Sequence, residues 1–143
     1  MIVELDHVGV VAHDWDEAAE VLLNHLGLEL DVKRSPLPDG VYFAPEQTNN
    51  YFVKVGLGQT RVEVLIPQGT TSGTARFLAR NGPGIHHLGY ACLSVADEAE
   101  RMEKLGLRRI DLGPSQAGRQ GAAFFHPKSM NGILTELVPV YRP

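Results

Sequence analysis

Two pentapeptides, Asp6-His7-Val8-Gly9-Val10 and His86-His87-Leu88-Gly89-Tyr90, decide how this chain is read. Each opens a β-rich stretch, and each is followed within a few residues by an acidic amphipathic segment. Self-similarity of this kind marks a duplicated structural unit. The first acidic segment is Asp14-Trp15-Asp16-Glu17-Ala18-Ala19-Glu20-Val21-Leu22-Leu23 and the second runs from Ser94 to Leu105. Both begin with a residue that can cap a helix, Asp14 or Ser94, and carry early carboxylates that suit a helix N-terminus. Apolar residues recur at helical spacing, at Ala18, Val21 and Leu22 and at Val95, Ala99 and Met102. Both segments run into Leu-Gly-Leu, at 26–28 and 105–107, where the glycine can end the helix in a left-handed conformation.

The repeat continues. Arg61-Val62-Glu63-Val64-Leu65-Ile66-Pro67 matches Leu134-Thr135-Glu136-Leu137-Val138-Pro139, each a short strand with one acid in its middle and a proline at its exit. Between helix and last strand each unit has room for two more strands, near 28–33 and 51–56 in the first and near 107–110 and 121–126 in the second. The pattern predicts an α+β fold: one domain, 1–143, of two βαβββ modules. Module one spans 1–67, a linker 68–83 and module two 84–143. The linker holds a short predicted helix over 72–80 between Gly-rich breakers. Two such modules side by side form a curved eight-stranded sheet around a cleft.

Strand side chains alternate between faces. His7 shares a face with Leu5 and Gly9, and His87 with Ile85 and Gly89. Repeat symmetry pairs His7 with His87 and Glu63 with Glu136. A carboxylate in the middle of an apolar strand is expensive to bury unpaired. Two of them, each matched with a histidine, are explained by one divalent metal ion in the cleft, held by His7, Glu63, His87 and Glu136. Two nitrogens and two oxygens suit cobalt, nickel, manganese or zinc, with two octahedral positions left open. His86 points to the other face and reads as structural, and Asp6 reads as a turn former or a partner of the adjoining ligand. His13, His25 and His126 have no repeat partner.

Composition excludes several classes. The formal net charge is −4 and the basic residues are scattered, so no nucleic-acid surface is expected. No run reaches the length of a membrane span and the N-terminus lacks a signal-peptide pattern, so no membrane partner is expected. The one cysteine, Cys92, cannot form an internal disulfide and reads as a small buried hydrophobe. Its solitude points to a reducing compartment, the cytoplasm.

The motifs resemble the vicinal oxygen chelate (glyoxalase/bleomycin resistance/dioxygenase) superfamily, and within it the methylmalonyl-CoA epimerase group. The resemblance rests on Leu5-Asp6-His7-Val8-Gly9-Val10, Val62 to Pro67, Ala75-Arg76-Phe77-Leu78, Gly84-Ile85-His86-His87-Leu88, Phe125-His126-Pro127-Lys128-Ser129 and Leu134 to Val138. The resemblance implies a metal-dependent isomerase that moves the proton alpha to a thioester in methylmalonyl-CoA or a related 2-substituted acyl-CoA. The metal would chelate the thioester carbonyl and the malonyl carboxylate. Two bases on opposite faces would exchange the proton. Glu136 matches the family position that touches the metal and transfers a proton.

For the second base the family carries a Glu-Gln dipeptide. Glu46-Gln47 matches it with one residue inserted before Glu63; an ungapped count puts Gln47 there, and an amide cannot take the proton. Gln47, Arg119, Lys128 and Ser129 are the candidate substrate contacts, the two cations being available for coenzyme A phosphates. The resemblance also implies a homodimer. Two other functions fit the superfamily: a glyoxalase-I-like lactoylglutathione lyase, and a binding or resistance protein without chemistry.

Overall fold

The computed structural model describes residues 1–112 and 121–142. Its elements, in chain order, are β1 (Ile2–Val11), α1 (Trp15–Ala19) continued by a π-helical segment (Glu20–His25), β2 (Glu29–Leu30), β3 (Val41–Phe43), β4 (Thr48–Lys54), β5 (Arg61–Pro67), α2 (Gly73–Asn81), β6 (Gly84–Cys92), α3 (Val95–Lys104), β7 (Arg109–Ile110), β8 (Ala123–Phe125), a 3₁₀ turn (Pro127–Ser129) and β9 (Thr135–Pro139). Each expected strand and helix is present. Among the described strands the addition is β3, which lies in a stretch without strand alternation and is held by pairing of Val41, Tyr42 and Phe43 with Asn50, Asn49 and Thr48.

Local chemistry sets the helices. Asp14 caps α1 by accepting from the Glu17 amide at 2.8 Å, and Ser94 caps α3 by accepting from Asp97 at 3.2 Å. Gly27 and Gly106 follow the two helices with φ of +67° and +85°, the left-handed conformation that the repeated Leu-Gly-Leu predicts. The linker helix α2 is capped by Ser72, whose hydroxyl accepts from Ala75 at 3.1 Å.

Contacts divide the chain into a terminal unit, Met1–His7 with His87–Pro143, and a central unit, Val8–His86. In the terminal unit the strands run β1-β6-β9-β8-β7. β6 and β9 are parallel, with Gly89 opposite Glu136, and β8 is antiparallel to β9, with Phe124 opposite Glu136. One face carries the core: Cys92, Ala123, Phe125 and Leu137 pack with Val95, Ala99 and Met102 of α3. Alternation turns His87, Gly89, Phe124 and Glu136 to the other face. Cys92 is buried as expected, and burial raises its thiol pKa.

In the central unit the order is β2-β4-β5-β1, with β3 also on β4. Val64, Ile66 and Tyr51 pack on the α1 side with Trp15, whose ring stacks on Tyr51 at 4.2 Å between centroids. Leu65 and Val11 pack with Leu78 of α2 on the opposite face. Glu63, opposite Phe52 in the β4–β5 register, belongs with Leu65 by alternation.

One buried ion pair ties the residue after β2 to β5, with β4 between the two strands. Asp31 is 5% exposed; its carboxylate accepts from Arg61 Nε at 3.0 Å and from the Arg34 amide at 3.3 Å. Burial pushes the Asp31 carboxyl up, but the hydrogen bond and charge of Arg61 outweigh it and hold the group below its ordinary range. Asp31→Asn is expected to destabilise the protein by about 3 kcal/mol, because it leaves the Arg61 charge half-buried without its counter-charge. Urea unfolding of both proteins measures the difference. A lowered folded pKa means the stabilisation is full above the unfolded carboxylate value, about 3.9, and is lost as pH falls through the folded value. The gap between wild type and variant should therefore close below about pH 4.

Candidate metal centre

Three of the four expected ligands meet in the terminal unit. His7 comes from β1, His87 from β6 and Glu136 from β9, and all three are buried. His7 Nδ1 lies 2.8 Å from Asp6 Oδ2. A carboxylate only accepts, so that bond assigns the ring proton to Nδ1 and leaves Nε2 with its lone pair. Asp6, read from sequence as a turn former or ligand partner, thus orients the ligand beside it.

His7 Nε2 stands 3.0 Å from His87 Nε2 and 2.9 Å from Glu136 Oε2, and His87 Nε2 stands 3.2 Å from the same oxygen. These three atoms form a triangle shielded from water, and each can offer a lone pair. A single proton can bridge only one edge of it. Bonds of about 2.1 Å at right angles put adjacent ligand atoms about 3.0 Å apart, whereas tetrahedral angles put them about 3.4 Å apart. The triangle fits three adjacent positions of an octahedral divalent ion. Burial raises the Glu136 carboxyl pKa; where the cluster holds protons in place of an ion, hydrogen bonds and charge from His7 and His87 outweigh burial and lower the pKa to about 2.

Two further residues shape this cluster. A Cβ built on Gly89 would stand inside the His7 ring, so only glycine lets the imidazole lie over β6. Phe124 presents its ring edge-on to His87 at 6.0 Å and is itself nearly buried. Glu63 is buried in the central unit, where its Oε1 accepts from Asn50 Nδ2 at 2.7 Å.

The other sequence candidates fall as follows. Glu46 is half-buried in the turn before β4; its Oε2 accepts from the Thr74 amide at 2.9 Å and hydroxyl at 3.0 Å, at the head of α2. A carboxylate there is favoured by the helix dipole. Gln47 is exposed, with φ +52°, and its carbonyl accepts from the Gln68 amide at 2.8 Å. Lys128 is exposed on the 3₁₀ turn. The Ser129 hydroxyl holds that turn, accepting from the Arg108 amide at 3.0 Å and donating to the His126 carbonyl at 3.1 Å. Arg119 lies outside the described residues.

Residues 6–125 match the family model described as the Glyoxalase/Bleomycin resistance protein/Dioxygenase superfamily. The chain belongs to that superfamily. Its relatives in the superfamily include the ethylmalonyl-CoA/methylmalonyl-CoA epimerase of Cereibacter sphaeroides, 32% identical over 143 residues that cover 98% of this chain and 100% of that one. The mitochondrial methylmalonyl-CoA epimerase of Dictyostelium discoideum is 34% identical, over 94% of this chain and 76% of its own. Among solved structures, a variant of the Streptomyces coelicolor methylmalonyl-CoA epimerase in complex with 2-nitronate-propionyl-CoA matches with a TM-score of 0.81. It is 26% identical, and the match covers 99% of this chain and 100% of that one. The sequence-based resemblance to the epimerase group of this superfamily is therefore confirmed.

Sequence reasoning missed Gly89, Phe124 and Asn50. Gly89 had a signal, since glycine recurs two residues after each repeated histidine, at Gly9 and Gly89. Gly89→Ala is expected to displace the His7 ring and weaken divalent metal binding at least about tenfold, as loss of a ligand-orienting contact commonly does. Competition against a chromophoric chelator measures the affinity, and circular dichroism checks the fold. Wild-type affinity in the folded variant would count against the close approach of His7 to β6.

Proposed function

We propose that this protein is a metal-dependent epimerase of methylmalonyl-CoA or a related 2-substituted acyl-CoA. The observation that carries the reading is the buried His7–His87–Glu136 junction, in a chain that aligns along its whole length with an ethylmalonyl-CoA/methylmalonyl-CoA epimerase.

Glu63 is read as the fourth ligand. Its support is the repeat: it holds the place in β5 that Glu136 holds in β9, and it is equally a buried carboxylate in an apolar strand. The donor set of two imidazoles and two carboxylates suits cobalt, nickel, manganese or zinc. When bound, the ion supplies Lewis-acid polarisation of the carbonyl whose α-proton is exchanged. The side chains supply the rest. His7 is fixed by Asp6, and the Glu136 carboxylate beside it is the group that can accept a proton. Glu136 is assigned the proton on one face of the substrate carbon and Glu46 the proton on the other. Glu46 reaches that role by exchanging its bonds to Thr74 for the substrate proton. Gln47, Arg119, Lys128 and Ser129 are retained as the candidate contacts for the rest of the thioester, the two cations being available for its phosphates.

The reading also includes a homodimer and a cytoplasmic location. Ile2, Val3 and Leu93 leave apolar side chains on the surface of the terminal unit, as a subunit contact requires. No helix among the described residues is long and apolar enough to cross a membrane.

Proton NMR in deuterium oxide tests the chemistry. The metal-loaded protein should exchange the α-proton of methylmalonyl-CoA for deuterium and interconvert its epimers. Glu136→Gln should slow exchange by about 10² or more, the usual contribution of a positioned acid–base group. Glu46→Gln should abolish epimerisation while leaving deuterium exchange on the Glu136 face. Exchange no faster than in metal-containing buffer would overturn the assignment. Inversion that survives Glu46→Gln would remove Glu46 from the mechanism and leave the reaction standing.

A further inference from the structure

Asn50 sits where no apolar strand needs an amide. It is 6% exposed on β4, on the same face as Thr48 and Phe52, and its main chain faces Leu65 across the sheet. The diagonal neighbour two residues along β5 is Glu63, within reach of a side chain on that face. Among the described residues the Asn50 side chain makes one hydrogen bond, from Nδ2 to Glu63 Oε1 at 2.7 Å. Its own Oδ1 is buried with no partner, as is Thr48 Oγ1 beside it.

That asymmetry fixes how the amide is turned. Rotating it by half a turn would bring Oδ1 against the carboxylate oxygen, acceptor against acceptor. The orientation that donates to Glu63 is the one found, and it leaves Oδ1 unpaired in a buried place where unpaired polar atoms are uncommon. The bond to a carboxylate is short and charge-assisted, which is the strong kind. Among the described residues no other polar contact of this side chain accounts for an asparagine there.

We infer that Asn50 is a positioning residue for the metal centre: by capping Oε1 of Glu63 it leaves Oε2 as the single ligand oxygen, and so keeps a coordination position free for substrate. The inference rests on Glu63 being a ligand, as proposed above. A carboxylate with both oxygens uncapped can chelate through both, and the second oxygen would take a position that the substrate needs. Asn50 orients a ligand as Asp6 orients His7, but from a strand that carries no ligand itself.

Cobalt(II) affinity of the full chain, read by competition with a chromophoric chelator, tests this in four proteins: wild type, Asn50→Leu, Glu63→Ala and the double variant. Asn50→Leu keeps the volume and removes the donor. It should weaken cobalt binding by about 10- to 100-fold. In the Glu63→Ala background the same substitution should change nothing further, because the residue acts only through Glu63. The visible spectrum of the cobalt protein should also change in Asn50→Leu, because one coordination position is altered. A merely structural role would lower the unfolding temperature of the metal-free protein without that dependence on Glu63. Unchanged cobalt affinity and spectrum in folded Asn50→Leu, or an equal loss in both backgrounds, overturns the inference while Glu63 stands as a ligand. Unchanged affinity in Glu63→Ala overturns the ligand reading itself. If Asn50→Leu does not fold by circular dichroism, Asn50→Ser, which is smaller and too short to hold the same bond, carries the identical comparison.

Discussion

An imidazole that has given its N–H to Asp6 has only a lone pair left at Nε2, and here that lone pair points at a second imidazole and a carboxylate. The His7–His87–Glu136 junction is thus a buried concentration of electron density with edges of about 3 Å, and it exists only if something positive is shared among the three. Much else follows from that requirement. β6 must carry glycine at Gly89 so the His7 ring can lie over it. Asp6 must stay buried against Nδ1 to hold the ring proton away from the centre. Phe124 must be apolar, because it faces Glu136 across the sheet and closes over His87.

Strand parity turns this local demand into a whole-unit arrangement. With a period of two, any residue beside a ligand points to the opposite face. Tyr90 and Cys92 on β6, Phe125 on β8 and Leu137 on β9 are those residues, and α3 covers them. The helix is therefore confined to the face that does not carry His87 and Glu136. The amphipathic spacing of Val95, Ala99 and Met102 is the sequence record of that division. The central unit repeats it, with α1 against Val64 and Ile66 and the Glu63 face turned away from α1.

Most of what was legible in the sequence was what the duplication repeats; the linker helix α2, bounded by Gly-rich breakers, was legible without a repeat. The strands, the two capped helices with their terminal glycines and the paired His and Glu positions each occur twice, and a pattern seen twice outweighs the ordinary reading of a lone histidine or glutamate. What was not legible is unrepeated and set by contact across the fold. Asp31 looks like a loop residue until Arg61 is brought 30 residues along the chain to meet it. Glu46 looks like a free base until the head of α2 supplies the Thr74 amide and hydroxyl. β3 has no alternation of its own and forms because β4 offers an edge beside it.

The duplication also shows where the two halves stop being alike, and that difference bears on mechanism. In both halves a phenylalanine stands opposite the acid, Phe52 across from Glu63 and Phe124 across from Glu136, so the strand register was kept. The supports were not. Two residues before the phenylalanine the first half has Asn50 and the second has Ala122. Glu63 consequently has a neutral donor capping one oxygen, while Glu136 has two imidazoles at one oxygen and no amide at the corresponding place. A carboxylate capped by an amide has one oxygen taken and little freedom to rotate, which suits a ligand that only holds. A carboxylate anchored through one oxygen keeps the other for exchange, which suits a ligand that must also take and return a proton. On the proposed function, equivalent positions in the repeat would thus carry unequal work, set by the residue that supports each acid.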